Sequence, residues 1–177
     1  INAVFGFMTL LLQAIDQFEP DYVMVCFDRP EQTFRKEAYE LYKANRTEAP
    51  DEFKTQVPLF KQAAKVAGIF CAEEAGYEAD DLMGVYAKVA NAQGITTYLY
   101  TSDQDAFQLV NDLTFVVSAK KGHSKLVIFD RAAVFEKCGV YPEQIIDFKA
   151  LKGDTSDNIP GVKGVGDKTA AKLIAEY

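Results

Sequence analysis

The sequence predicts an α/β fold, in which a mostly parallel sheet is flanked by helices and followed by a smaller helical subdomain. Apolar, strand-like runs alternate with segments of helical periodicity as far as Asp130. From Arg131 onward the pattern is helical and is interrupted by glycine and proline. The 177 residues, 49% of them hydrophobic, can bury a core of this size. We therefore expect an α/β domain over residues 1–130 and a helical subdomain over residues 131–177.

The first predicted element is a helix. Apolar residues recur on one helical face, and Asn2 is suited to cap the helix start. The residues of this face are Val4, Met8, Leu11, Leu12, Ile15 and Phe18. Because an α/β domain of this kind ordinarily begins with a strand, a helix directly after Ile1 indicates a fragment whose first strand is missing.

The later elements alternate along the chain. Strands are predicted at residues 22–27, 69–72, 96–100, 115–118 and 126–129. Helices are predicted over residues 57–67 and from Glu78 to Gly94, and a turn is predicted at residues 120–124. This order is the one that a parallel sheet with crossover helices requires.

Acidic residues gather where three predicted strands give way to a loop or helix. They are Asp28, Glu78, Asp80, Asp81, Asp103 and Asp105. In an open parallel sheet the carboxyl ends of the strands face one crevice, where ligands bind. Carboxylates collected there repel one another unless a cation lies among them, and Mg²⁺ accompanies phosphate substrates. The alternative is that each group only caps a helix, as Asp81 is well placed to do. The three groups together favour metal-assisted phosphate chemistry.

Composition narrows the classes of function. The net charge of −7 argues mildly against a nucleic-acid partner, unless several acids are metal ligands and the bases are clustered. The three cysteines are widely spaced and His123 is the only histidine, so a zinc site is not indicated. Cys26 and Cys71 lie in apolar strand patterns, which is typical of small core residues in a reducing compartment. Because no secretory signal and no membrane-length apolar run occurs, we expect a soluble, cytoplasmic protein with no membrane partner.

Basic and aromatic residues are interleaved between Thr33 and Arg46. A helix would place most of them on one side. They are Arg35, Tyr39, Tyr42, Lys43 and Arg46. Such a surface suits a nucleic-acid strand, whose phosphates meet Lys and Arg and whose bases stack on Tyr. The alternative is a solvated amphipathic helix whose tyrosines cover the edge of the core.

The tail contains a glycine-rich turn, residues 161–166 (GVKGVG), which opens a helix. Backbone N–H groups of such a turn can approach a phosphate closely, and Lys163, Lys168 and Lys172 add positive charge at the same end. A nucleotide-binding loop is not favoured, because no strand directly precedes the turn. Apolar residues in and around the turn predict a packed hairpin rather than a flexible linker. They are Ile159, Val162, Val165 and Leu173.

Four sequence blocks occur in order along the chain: residues 34–46 read FRKEAYELYKANR, residues 76–81 read GYEADD, residues 101–105 read TSDQD and residues 153–166 read GDTSDNIPGVKGVG. Together they resemble the 5′-nuclease superfamily of flap endonuclease-like proteins, and within it the 5′–3′ exonuclease domains of bacterial DNA polymerase I. The resemblance covers essentially the whole chain. It implies a PIN-like 5′-nuclease fold with a C-terminal helix–three-turn–helix subdomain.

The resemblance also implies roles for particular residues. The six strand-end acids become ligands of Mg²⁺, direct or through water, and Asp154 and Asp157 become the last acids at a second metal position. Lys43 and Arg46 match residues of a helical arch that engage the scissile phosphate, and Arg35 matches a further basic position. The glycine hairpin matches the family's duplex-binding element, which commonly holds K⁺. DNA-binding residues are then Tyr39, Tyr42, Gly161, Lys163, Gly164, Gly166, Lys168, Thr169 and Lys172.

The implied activity is 5′–3′ exonuclease and 5′-flap endonuclease action on DNA in replication and repair, with two Mg²⁺ ions for which Mn²⁺ can substitute. The implied substrate is flap, nicked or branched DNA with a free 5′ end, and the implied protein is a monomer to which a DNA polymerase can be fused. The sequence departs from the family where the first strand and its Asp would precede Ile1, and at Gln104, where a Lys is common. Two alternatives stay open: a non-catalytic DNA-binding module or inactive fragment, and a phosphatase for small phosphorylated substrates.

Overall fold

The computed structural model describes residues 2–119 and 126–177, so the predicted turn at residues 120–124 lies outside the described residues. The described residues form two compact units. Unit 1 comprises those of Ile1–Glu37 and Arg46–Leu82, and unit 2 those of Ala38–Asn45 and Met83–Tyr177. Within the described residues, no helix combines the length and the apolar character that crossing a membrane requires.

Unit 1 contains two short parallel strands and several helices. Its elements are α1 (Asn2–Phe18), β1 (Met24–Cys26), α2 (Phe34–Ala38), α3 (Asp51–Lys54), α4 (Val57–Val66), β2 (Phe70–Ala72) and the first residues of α5 (Ala79–Asn91). Val25 of β1 is the register partner of Cys71 of β2. The predicted strands and the helix over residues 57–67 are therefore confirmed, with α4 ending one residue earlier than predicted.

Helix α1 packs against α4 through aromatic rings. The ring of Phe7 stacks on that of Phe60 at 5.2 Å, and Phe60 is buried. The predicted helix is confirmed, but no residue of α1 is buried, and Leu12 of the predicted apolar face is exposed. Asn2 lies within the helix instead of preceding it. The contact on α4 is therefore made through Phe7, which the predicted face does not include.

Unit 2 contains a mixed sheet and the C-terminal helices. Its elements are the rest of α5, β3 (Thr97–Tyr100), the 3₁₀ helix Gln104–Leu109, β4 (Thr114–Ala119), β5 (Leu126–Phe129), α6 (Arg131–Cys138), the 3₁₀ helix Pro142–Gln144, α7 (Ile145–Lys152), β6 (Gly153–Asp154), β7 (Ile159–Pro160) and α8 (Asp167–Glu176). The strand order is β3-β4-β5, with β3 and β4 parallel and β5 antiparallel to β4. The α/β class is confirmed, but the described strands are distributed over separate sheets of two, three and two strands.

The core of unit 2 holds in place the segment that contains Asp103 and Asp105, two of the predicted site residues. Val116, Val134 and Phe148 are nearly inaccessible to solvent. Phe107, in the first 3₁₀ helix, is buried in the same cluster and its ring lies 4.9 Å from that of Phe129. This helix follows Asp103 directly, so burial of Phe107 holds the acidic turn in place.

Two glycines allow β6 and β7 to approach closely. Gly153 has φ +80°, and a Cβ placed on it would lie 2.3 Å from the backbone nitrogen of Gly161. A Cβ on Gly161 would in turn lie 2.2 Å from the carbonyl carbon of Lys152. Only glycine fits at either position. The close approach closes the loop that carries Asp154 and Asp157.

Candidate active site

Asp28 follows β1, as predicted for a strand-end acid, and interacts with the start of α5. Its Oδ1 accepts a hydrogen bond of 2.8 Å from the backbone N–H of Ala79, the first residue of that helix. The first N–H groups of a helix have no partner within the helix, so this carboxylate satisfies one of them. The helix-capping interpretation of the strand-end acids thus applies to Asp28.

The acids of the Glu78–Asp81 block surround the same helix start. Asp81 lies in the first turn of α5, and its Oδ2 accepts the backbone N–H of Glu78 at 2.9 Å. Asp80 lies in that turn as well. Burial raises the pKa of the nearby Cys26 thiol to about 11, and the negative charge of Asp80 contributes to the rise. Asp28 and Asp81 therefore accept backbone N–H groups at the helix start, and metal ligation by the acids of this block stays a prediction.

Arg35 contacts two of these acids. Its Nη1 and Nη2 donate to the two carboxylate oxygens of Asp81 at 2.7 and 2.8 Å, and Nη1 lies 4.0 Å from Glu78. The backbone N–H of Phe34 donates to the carbonyl of Gly76 at 3.2 Å, next to these acids in the chain. These hydrogen bonds hold helix α2 against residues 76–81. In this structure Arg35 forms an ion pair with acidic residues of that block.

The helix suggested for residues 33–46 is wrong beyond Ala38. Helix α2 ends there, residues 40–45 form turns, and Lys43 has a positive φ of 55°. Tyr39, Tyr42, Lys43 and Arg46 therefore do not lie along one helical face with Arg35. The physical reason is that residues 39–45 make hydrogen bonds with another segment of unit 2. These bonds take the place of the backbone hydrogen bonds that a continued helix would form.

The partner of this turn segment is the loop after β6. Four hydrogen bonds join the two: Tyr39 Oη donates to the Asn158 carbonyl at 3.3 Å, Asn158 Nδ2 to the Leu41 carbonyl at 2.8 Å, the Lys43 N–H to the Asp157 carbonyl at 2.9 Å, and Asn45 Nδ2 to the Thr155 carbonyl at 2.7 Å. Two blocks that are more than a hundred residues apart in sequence are thus adjacent. Each predicted functional block fixes the backbone of the other.

Burial divides the aromatic residues of this segment. Tyr42 is only 7% exposed, and the Nζ of Lys43 lies 4.8 Å from the centre of its ring. Tyr39 is half-buried. Burial of Tyr42 agrees with the alternative in which a tyrosine covers the core edge, while its assignment to DNA binding stays a prediction.

A second acidic cluster lies within unit 2. Asp103 caps the first 3₁₀ helix, its Oδ1 accepting the N–H of Asp105 at 2.9 Å. The ammonium of Lys149 contacts the carboxylate of Asp105 and donates to Oδ2 of Asp154 at 2.6 Å. Sequence reasoning missed Lys149, because nothing in its spacing to either acid indicates an ion pair.

The contacts of Asp154 lower the pKa of its carboxyl group. Partial burial by itself raises the pKa of Asp154, but hydrogen bonds from Lys149 and Ser156 outweigh burial and hold the pKa well below its ordinary range. Ser156 donates to Oδ1 from both its N–H, at 2.9 Å, and its Oγ, at 2.6 Å. Asp157, two residues beyond Thr155, is 8% exposed.

The glycine hairpin and α8 present a basic, exposed end. Gly166 precedes α8 and makes no side-chain cap, and Lys163, Lys168 and Lys172 are exposed. Val165 packs against the unit 2 core, but Ile159 and Val162 are 40% and 53% exposed. The packed-hairpin prediction is thus wrong for those two side chains, which lie on either side of the close contact between Gly161 and the backbone of Lys152 and Gly153.

The donor chemistry of these groups suits a hard divalent cation. All the donors are carboxylate oxygens, the ligands that Mg²⁺ and Mn²⁺ prefer. Each cluster already encloses a positive charge, Arg35 in unit 1 and Lys149 in unit 2. Over residues 2–119 and 126–177, no three acidic, histidine or cysteine side chains are arranged to bind one ion together.

Comparison with known proteins places this arrangement in a class. The fold is that of T5 5′-exonuclease, whose structure with bound divalent zinc ions superimposes with a TM-score of 0.80 at 24% identity, covering 98% of this chain and 67% of that one. The catalytic core of Rad2 in complex with DNA substrate gives a TM-score of 0.64 at 20% identity, covering 98% of this chain and 52% of that one. These structures share the fold of this chain.

Sequence comparison then identifies the family. Residues 1–139 match the family model described as the 5′-3′ exonuclease N-terminal resolvase-like domain, and residues 140–177 match that of the 5′-3′ exonuclease C-terminal SAM fold. The chain belongs to the 5′-3′ exonuclease family. It is 46% identical over 176 residues to DNA polymerase I of Mycobacterium bovis, covering 99% of this chain and 20% of that protein. It is 44% identical over 177 residues to a 5′-3′ exonuclease of Bacillus subtilis, covering 99% of this chain and 59% of that protein.

Proposed function

We propose that the chain is a 5′–3′ exonuclease and structure-specific 5′-flap endonuclease that hydrolyses DNA phosphodiester bonds with two Mg²⁺ ions. One observation supports the proposal beyond family membership: the ammonium of Lys149 contacts Asp105 and Asp154, which belong to separate sequence blocks. A cluster that holds a half-buried ammonium between two carboxylates has enough negative charge to hold a cation. The chain spans about a fifth of the mycobacterial polymerase it matches.

The proposed metal ligands are the acids of both units. They are Asp28, Glu78, Asp80, Asp81, Asp103 and Asp105, with Asp154 and Asp157 at the second metal position. Bound divalent ions would supply an activated water and stabilise the leaving oxygen. Mn²⁺ has similar ligand preferences and is the expected substitute for Mg²⁺.

Basic side chains of the chain are proposed to contact the scissile phosphate and to orient an acidic residue. Lys43 and Arg46 are proposed to offset the charge that develops on the scissile phosphate. The hydrogen bond from the Lys43 N–H to the Asp157 carbonyl supports this role, because it fixes the backbone from which the side chain projects. Arg35 is proposed to orient Asp81 through its two parallel hydrogen bonds.

Residues 1–130 are proposed to form the nuclease domain and residues 131–177 the DNA-binding subdomain. The exposed Lys163, Lys168 and Lys172 would contact the phosphates of duplex DNA without reading its sequence. K⁺ is the ion proposed at the hairpin of residues 161–166. The proposed substrate is a flap, nicked or branched duplex with a free 5′ end, and the proposed longer protein carries a DNA polymerase, as the mycobacterial relative does by name.

Single-turnover cleavage of a 5′-flap substrate tests the role of Lys43. Lys43→Ala should slow cleavage about 100-fold, the cost of removing one charge-stabilising donor, while the Kd for the same DNA in Ca²⁺ changes little. Lys88→Ala, at an exposed position of α5, is the matched control. Equal losses of rate and affinity would contradict the role of Lys43. A folded chain that binds DNA but does not cleave in Mg²⁺ would establish the non-catalytic binding module.

A further inference from the structure

A cleft of about 500 Å³ opens on the surface of unit 2 and shares no residue with the acidic clusters or the glycine hairpin. Phe115 of β4 and Phe135 of α6 lie in its wall together with Tyr141. Asp112 and Asp130 also line it. A cleft of this volume is large enough for a small ligand or for a few side chains of a peptide. The proposed nuclease activity makes no use of it.

The aromatic rings of the cleft are partly exposed and stack in pairs. Phe135 and Tyr141 stack at 4.6 Å and are 44% and 39% exposed. Phe115 stacks on Tyr98 at 5.5 Å, and Tyr98 is 44% exposed, so the aromatic surface continues beyond the cleft. Contiguous apolar surface of this kind marks binding sites on soluble domains. Its length, greater than one side chain, fits an extended peptide better than a small molecule.

The charged residues around the cleft favour a positively charged ligand. Among the described residues, the one cation that lines it is Arg131, which lies 4.5 Å from the centre of the Tyr141 ring and donates two hydrogen bonds, at 2.6 and 2.5 Å, to Glu143. Its charge is therefore balanced by Glu143, and the carboxylates of Asp112 and Asp130 leave the cleft negative. Asp130 is held in place because its Oδ1 caps α6 through the N–H of Ala133 at 2.8 Å. Nucleic-acid phosphates are repelled by such a rim, whereas a cation is attracted.

The aromatic rings also favour a positively charged ligand. The face of an aromatic ring attracts a cation, and guanidinium groups stack on it particularly well. Arg131 over Tyr141 is an example of this contact within the cleft itself. The ring of Phe135 lies on that of Tyr141 but Phe135 is still 44% exposed, so part of this aromatic residue is accessible to a second guanidinium.

We propose that this cleft binds an arginine-bearing segment of a partner polypeptide. The guanidinium of the partner lies against Phe135 and pairs with Asp112 and Asp130, while an adjoining apolar side chain lies on Phe115 and Tyr98. The aromatic surface supplies contact area, and the two carboxylates supply the preference for a basic segment.

The chain contains no tryptophan, so a tryptophan-containing peptide gives a fluorescence signal without background. The probe is the acetylated, amidated tripeptide Arg-Trp-Arg, titrated at constant Mg²⁺, with Glu-Trp-Glu as the oppositely charged control. The basic peptide should bind saturably and the acidic one should not. Asp112→Asn and Phe135→Ala should each weaken binding about five-fold, the usual worth of one such contact. Phe135→Tyr, which keeps the ring face, should retain binding.

Matched controls separate this cleft from the rest of the surface. Asp147→Asn removes an exposed carboxylate of unit 2, and Phe5→Ala removes an exposed ring of unit 1, and neither should change the peptide Kd. Absence of saturable binding, equal binding of the acidic peptide, or equal weakening by the control variants would overturn the proposal. So would a loss of affinity for single-stranded DNA in Phe135→Ala, because the cleft would then belong to a nucleic-acid surface.

Discussion

The guanidinium of Arg35 donates to both carboxylate oxygens of Asp81, from Nη1 at 2.7 Å and from Nη2 at 2.8 Å. This bidentate pair joins the first residues of the basic segment to the first turn of α5. Asp81 also accepts the backbone N–H of Glu78 at 2.9 Å, so one carboxylate serves both the helix start and the arginine. Loss of the arginine would leave the acids at this helix start without that compensating charge.

Arg35→Ala should therefore lower the free energy of unfolding by about 1–2 kcal/mol in metal-free buffer, since the pair is partly buried and bidentate. Urea denaturation in EDTA measures this change. The control is Arg29→Ala, whose ion pair with Glu31 is exposed and whose loss should leave stability unchanged. Equal effects of the two substitutions would show that the bidentate geometry contributes nothing.

Gly153→Ala should destabilise the chain by about 3 kcal/mol or more, because it combines a positive φ with a backbone contact too short for a Cβ. Thermal and urea unfolding measure the loss. Gly6→Ala is the matched substitution, since nothing lies within 4 Å of its Cβ position in α1, and it should stabilise by about 0.5–1 kcal/mol. A neutral Gly153→Ala would contradict the close approach of β6 and β7.

The lowered pKa of Asp154 predicts that the stability of the chain depends on pH. Its folded-state pKa lies below the ordinary value of 3.8, so the stabilisation is present above pH 3.8 and is lost as pH falls through the folded pKa. The stability difference between the native chain and Asp154→Asn should therefore shrink as pH is lowered below 3.8 in EDTA. Lys149→Met should move the carbon-13 NMR titration of the Asp154 carboxyl to higher pH. Titration of that carboxyl at or above 3.8 in the native chain would refute the assigned contacts.

The basic end of α8 predicts a salt effect on DNA binding. Lys163→Ala and Lys168→Ala should each weaken duplex binding whatever the sequence, and each should reduce the slope of log K against log salt by about 1. Fluorescence anisotropy over a salt series measures the slope. Lys88→Ala should leave the slope unchanged, and a slope that is also unchanged in both hairpin variants would remove the hairpin from the DNA interface.

Prediction from the sequence succeeded where a pattern extends over many residues. Helix α4 was predicted over residues 57–67 and runs from Val57 to Val66, because its apolar periodicity agrees with its packing. The order of helices and strands was predicted for the same reason.

Prediction failed where distant residues decide the local structure. The helix at residues 33–46 ends at Ala38, since hydrogen bonds with the loop around Asp157 replace its backbone pattern. The Lys149 contacts with Asp105 and Asp154 depend on how α7 lies beside the first 3₁₀ helix, which no local spacing records. The acidic residues can be recognised in the sequence by their positions at strand ends. The basic residues that pair with them, Arg35 and Lys149, cannot be assigned as their partners from the sequence.

The most direct test of the proposed nuclease is Mg²⁺-dependent cleavage of a 5′-labelled flap DNA by this chain and by its Asp103→Asn variant. Asp147→Asn, which removes an exposed carboxylate in the same unit, is the control. We expect the chain and the control to cleave near the flap junction, and we expect cleavage to be lost in EDTA and in Asp103→Asn. Cleavage that persists in Asp103→Asn or in EDTA would contradict a metal-dependent reaction at these acids.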